Sequence, residues 1–136
     1  MKYVFPIVLI TAAVPSIAGG CLSYKGQVTL RGILSKQTFP EQPSYDSIAK
    51  GDRPATYFFV SPTKPICVAA GDPEKYEDTE AKVTIVQLVF PYNVNGYAPL
   101  RPYLGKQVIC RGTLFHAVSG HHHSSVLLGE ARCHAA

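Results

Sequence analysis

Four cysteines, Cys21, Cys67, Cys110 and Cys133, are spread over a chain of 136 residues, and they restrict its fold more than any other feature. An even set without a C-x-x-C pair is the pattern of a small disulfide-stapled domain in an oxidising compartment. It gives no support to a zinc knuckle or a dithiol redox site. Four half-cystines allow three pairings, and the length admits one domain.

The N-terminus agrees with export. Lys2 precedes an apolar stretch from Tyr3 to Val14, and Pro15-Ser16-Ile17-Ala18 closes it with small residues. This is the three-part order of a secretory signal peptide. Residues 1–18 are therefore expected to leave by a cut after Ala18, and residues 19–136 to form the domain. The apolar run is short and broken by Pro6 and Pro15, which disfavours a retained membrane anchor. Lipid attachment at Cys21 is a minor alternative, since Ala18 stands where that processing prefers a larger aliphatic residue. The expected location is periplasmic or secreted, with no transmembrane segment in the mature form.

Loss of Lys2 lowers the formal charge from +4 to +3, and five acids lie between Asp72 and Glu80 against Lys75 alone. No clustered basic stripe marks a nucleic-acid binder, so no nucleic-acid partner is expected. An envelope protein, a glycan or a small ligand remain the partner classes.

The mature chain reads as all-β. A first strand is expected over Cys21–Leu34, then a polar, proline-bearing loop over Ser35–Pro54. A second strand follows over Ala55–Val60 and Pro65–Ala69, and a third over the β-branched run Ala81–Phe90. Ala98–Leu104 fits a short helix, with Pro99 in its first turn and Gly105 past its end. Lys106–His116 and Ser124–Cys133 complete five strands. Three strands, a short helix and two strands is the order of a small five-stranded OB-like barrel, with an open sandwich as the alternative. Gln27–Leu34 also echoes Gln107–Leu114 at five of eight positions, both with an Arg-Gly pair. Strand glycines of this kind relieve crowding where a small barrel bends, although propensity alone can produce such a likeness.

Paired residues of an antiparallel hairpin share a constant index sum. Cys21 and Cys67 centre inside the 35–54 loop, and Cys110 and Cys133 centre between His121 and His122. Opposed β-carbons are close enough to bridge with modest adjustment. Cys21–Cys67 and Cys110–Cys133 are the expected disulfides, with a free buried thiol at Cys110 as the alternative.

The stretch Gly112-Thr113-Leu114-Phe115-His116-Ala117-Val118-Ser119-Gly120-His121-His122-His123-Ser124-Ser125-Val126-Leu127-Leu128 resembles a bacterial family known as domain of unknown function 4431. Its C-terminal pattern is G-x-L-F-x-A-x-T-G-H-H-H-T-x-V-L-L, with Ser119 and Ser124 here in place of Thr. Gln87-Leu88-Val89 and Leu104-Gly105-Lys106 also fit, so the resemblance spans roughly Pro65 to Leu128. It implies a secreted protein with an OB-like barrel, and no established activity.

Loops after the first and fourth strands are the usual ligand-contacting loops of OB barrels. The 35–54 loop with Tyr45, and the loop carrying His116, Gly120, His121, His122 and His123, are thus the candidate binding loops. Tyr92, Tyr97 and Tyr103 are further aromatic candidates, or half-buried packing. If Cys110 and Cys133 both point inward, strand parity places His116, His121 and His123 on one face and turns His122 away. Such a trio suits a transition metal such as zinc or copper; the alternative is a solvated loop bonded to its own backbone. A binding protein ranks first, a metal-binding protein second, and a hydrolase with a histidine base last. No G-x-S-x-G elbow exists, and parity turns Glu130, the one neighbouring acid, away.

Overall fold

The computed structural model describes residue 7 and residues 20–136. The expected signal peptide and its cut after Ala18 lie outside the described residues, apart from residue 7. The strands are β1 (Val28–Pro40), β2 (Pro54–Pro62), β3 (Ile66–Val68), β4 (Glu80–Val83), β5 (Val86–Leu88), β6 (Gln107–His116) and β7 (Val126–Ala135). One helical turn, α1 (Tyr97–Leu100), runs into a 3-10 turn at Arg101–Tyr103 between β5 and β6. Among the described residues no helix is long and apolar enough to cross a membrane.

Five strands close on themselves in the order β1-β2-β5-β7-β6, while β3 and β4 form a separate two-stranded sheet. All neighbours are antiparallel except β5 and β7. The all-β class and the short helix before the fourth long strand are as expected; four boundaries are not. The first strand starts at Val28 rather than Cys21, because its ladder with β6 begins there. Ser35–Pro40, read as loop, continues β1, because Thr38 and Phe39 pair with Thr56 and Ala55 in a hairpin arm. The loop shrinks to residues 41–53. Residues 65–69 leave the barrel, since Ile66 and Val68 pair with β4 instead. The expected third strand breaks after Val83, so one half serves each sheet.

Alternation on β1 and β6 builds the interior. Leu30, Gly32 and Leu34 face Val108, Cys110, Gly112 and Leu114, all buried between exposed neighbours. The two echoing segments pair with each other: Val28 opposes Gly112, and Gly32 opposes Val108. Each glycine lets a backbone approach closely. A β-carbon on Gly32 would lie 2.0 Å from the Ser61 carbonyl oxygen, and one on Gly112 would lie 2.4 Å from that of Gly129.

Both expected disulfides form, and no described cysteine is free. Cys110 and Cys133 stand opposed on β6 and β7, as the index sum requires. Cys21–Cys67 forms for another reason. Cys21 precedes β1, and its neighbour Leu22 bridges Val68 in parallel, so this bond ties the N-terminal segment to the small sheet. The sulfur of Cys21 is thereby occupied, leaving no thiol there for a lipid. Two disulfides are the bonding state of an oxidising environment.

The barrel is also covered on part of its outside. Phe58-Phe59-Val60, Val86-Gln87-Leu88 and Val126-Leu127-Leu128 are each buried at three successive positions, so both faces of the sheet are shielded there. Phe59, Gln87, Leu127 and Phe115 are lateral neighbours across β2, β5, β7 and β6 on that outer face. The histidine loop is their roof.

Candidate functional site

Gln87 pins that roof. It is 1% exposed on an outer face, where a polar side chain survives only if its groups are bonded. Its Nε2 donates to the His121 carbonyl oxygen at 3.0 Å, and its Oε1 accepts from the His123 amide at 2.6 Å. Its own amide donates to Ser124 Oγ at 2.9 Å, and Ser124 Oγ donates to the Val126 carbonyl oxygen. One glutamine thus fixes the loop at the His121 and His123 backbone and at the Ser124 side chain.

The imidazoles then take separate places. His123 stacks on Phe39 at 3.8 Å and 3°, with the Tyr57 ring 5.2 Å away. His122 stands edge-on to Phe115 at 5.3 Å, and its Nδ1 accepts from the Val118 amide at 2.9 Å. Burial and the charges of His121 and His123 push its pKa down. His121, the outermost, meets the Tyr45 ring at 5.9 Å, and Tyr45 in turn lies against Gly120. The two candidate loops therefore touch, through Tyr45, Gly120 and His121.

Glu41, at the start of the 41–53 loop, is the centre of that contact. It is 5% exposed and accepts a short hydrogen bond from the Tyr57 hydroxyl on Oε1. His123 Nε2 lies 3.5 Å from Oε1, and His121 Nδ1 lies 3.0 Å from Oε2. The His121 contact is out of line for a hydrogen bond, so Oε2 is buried with no hydrogen-bond partner. Burial alone would raise the carboxyl pKa. The bonds from Tyr57 and His123 and the charges of the two imidazoles outweigh it, and the group is held below its ordinary value. Burial first, and then the Glu41 bond and charge, push the Tyr57 phenol well above its usual range.

The loop that carries Glu41 is braced by Asp52, also 5% exposed. Its carboxylate accepts backbone N–H bonds from Ser44, Asp46 and Ser47 at 2.7–2.8 Å. Those from Asp46 and Ser47 do most to lower its pKa.

His116 goes elsewhere. Its Nε2 lies 2.7 Å from Glu80 Oε1 at the start of β4. Burial would lower its pKa, but Glu80 and the Ala117 carbonyl raise it above the ordinary imidazole value. The expected convergence of His116 with His121 and His123 does not form, and His122 packs onto the outer-face Phe115. A bulge overturns the parity argument on β7: register slips between Arg111 and Thr113, opposite Glu130, which adopts φ 51°, so Leu127 faces outward instead of inward, and the loop before Val126 folds over that outer face. Among the described residues, no group of three or more His, Cys, Asp and Glu side chains is placed to hold a metal ion. The histidines do have acid neighbours, Glu41 and Glu80, which chain distance hid.

Two clefts of about 310 Å³ each flank the junction. One is lined by Glu41, Gln42, Arg53, Pro54, Ala55, Tyr57 and His121. The other runs from Gln87 to Tyr92 and reaches Tyr97 and His122; Tyr57 and His121 belong to both.

A disulfide-stapled β protein with a histidine loop latched over one face is the class these features define. Residues 85–129 match the family model described as Domain of unknown function (DUF4431), a stretch that holds Gln87, His116 and the loop itself. The match bears out the family resemblance over a narrower span than the sequence reading gave. No curated protein and no solved structure matches the chain.

Proposed function

We propose that this chain is an exported binding protein, built on an OB-type barrel, that takes its ligand where the 41–53 loop meets the His121–His123 loop. The closed order, with a parallel third and fifth barrel strand and a helical turn before the fourth, supports the OB reading. Those two loops follow the first and fourth barrel strands, the positions that OB barrels use for ligands. The signal-like residues 1–18 and the two disulfides support export. The observation that carries the binding role is Glu41 Oε2: a buried acceptor with no hydrogen-bond partner, approached by the half-exposed His121 ring at 3.0 Å, beside a cleft at the loop junction. An orphaned buried acceptor costs stability, and such groups persist where a function uses them.

The test is an amide NMR screen of the mature protein against a mixed panel of saccharides, amino acids and nucleotides. At least one class is expected to shift the amides of Gln42, Tyr57, Gln87 and His121 together. Shifts confined to the separate cleft lined by Leu22, Arg31 and Ile66, or none at all, count against the reading.

A further inference from the structure

We infer that the ligand of this junction is a carbohydrate, whose ring lies on the exposed aromatic side chains and whose hydroxyl donates to Glu41 Oε2. The inference rests on the binding role proposed above and adds the ligand class. The two clefts lie side by side, with Tyr57 and His121 lining both. Each, at about 310 Å³, sits at the lower end of the roughly 300–1,000 Å³ of small-molecule sites.

The lining is planar and weakly charged. Tyr92 is fully exposed with no packing duty to explain it, the His121 ring is half-exposed, and the partly buried rings of Tyr57, Tyr97 and His122 border them. Ring faces suit the C–H faces of a pyranose. Their polar company is a carboxylate, an amide and a guanidinium, from Glu41, Gln42 and Arg53. Flat groups of this kind bond the adjacent hydroxyls of a sugar two at a time. Oε2 makes no hydrogen bond and has the His121 ring beside it, and a sugar hydroxyl is a donor of the right kind. His121, 53% exposed in its side chain, lies against that oxygen, so rotation of one surface ring opens the way.

The charges argue against a nucleotide. A nucleic-acid groove tracks phosphates with several cations. Here Arg53 stands alone, it already donates to Gln42 Oε1 at 3.1 Å, and an anionic carboxylate sits beside it.

The experiment is a glycan array probed with the mature protein. Calorimetry of the best saccharide then follows with wild type, Glu41→Gln and Tyr92→Ala. Glu41→Gln is expected to weaken binding at least tenfold. Tyr92→Ala, at a fully exposed position that leaves the fold intact, is expected to weaken it several-fold. The inference is overturned if the folded protein binds no saccharide, or if a saccharide binds with both variants at wild-type affinity. Amino acids or nucleotides that shift the cleft amides while every saccharide fails would overturn the carbohydrate assignment and leave the binding role standing.

Discussion

Histidine, the residue type that stands out in the sequence, is put to several different uses. His116 is a paired base, His122 an acceptor packed on a ring, and His123 a stacked plate, while His121 alone of these four keeps a half-exposed ring. Titration followed by imidazole NMR should separate them. His116 is expected to lose its proton above the ordinary value of about 6.5, and His122 below it. The consequences for stability are opposite in sign. A raised folded pKa makes the His116–Glu80 contact fully stabilising below about pH 6.5 and progressively lost as pH rises through the folded value. A lowered one makes His122 favour the fold at higher pH, a contribution lost as pH falls through its own folded value. Glu80→Gln should return the His116 midpoint towards the ordinary value; an unchanged midpoint would show that Glu80 is not the cause. Gln87 is the second residue to test. Gln87→Leu keeps the bulk but strands the His121 carbonyl and the His123 amide, at about 1–3 kcal/mol for buried groups left unpaired. Urea denaturation measures that loss, and amide exchange at His123 shows whether the loop lifts.

At the scale of strands and loops, the echoing Arg-Gly pairs show what the sequence makes legible and what it hides. Gly32 and Gly112 sit in segments that pair with one another, so the likeness reports a local two-fold relation within the barrel. Gly32→Ala and Gly112→Ala each drive a β-carbon into backbone, which cannot retreat as a side chain can. A loss of about 1–3 kcal/mol or more is expected for each. Gly120→Ala meets only the Tyr45 ring at 3.0 Å and should cost less. Equal losses at all three, measured by thermal unfolding, would contradict the crowding argument. The strand cores and the Cys110–Cys133 bond were readable because alternation and index sums act locally. The hairpin arm of β1 was not, because Ser35, Lys36, Gln37 and Thr38 lie outside the core and carry no apolar signal. Glu41 and Glu80 were missed for a different reason. Neither has a local pattern, and each meets its histidine across a long stretch of chain: 80 positions from Glu41 to His121 and 36 from Glu80 to His116. The runs Phe58-Phe59-Val60 and Val126-Leu127-Leu128 did carry a usable hint, since strands apolar at consecutive positions need cover on both faces. That cover is the histidine loop.

For the whole molecule, the two disulfides divide the work. Cys110–Cys133 closes 23 positions between neighbouring barrel strands, while Cys21–Cys67 closes 46 and fastens the first described segment to the small sheet. Chain entropy alone assigns about 3–4 kcal/mol to each, slightly more to the longer loop. Structure separates them by location. Replacing Cys110 and Cys133 by Ala removes a bond inside the buried cluster that holds Val108, Leu114 and Ala131, so the whole barrel should lose stability in one cooperative step. Replacing Cys21 and Cys67 by Ala should first free residues 20–26 and the β3–β4 sheet. Tyr24, whose hydroxyl bonds the Asp78 carbonyl oxygen, then loses its burial, and its phenol, pushed up to about 12 by burial and by Glu80, Asp78 and Glu77, relaxes downward. Amide exchange distinguishes the two outcomes. The first variant is expected to raise opening rates everywhere, whereas the second should raise them at Leu22 and Val68 while the β1–β6 ladder keeps its protection. Uniform loss of protection in both variants would mean that barrel and small sheet open as one unit. The histidine loop, pinned by Gln87 on the barrel's outer face, would then depend on the N-terminal staple as well.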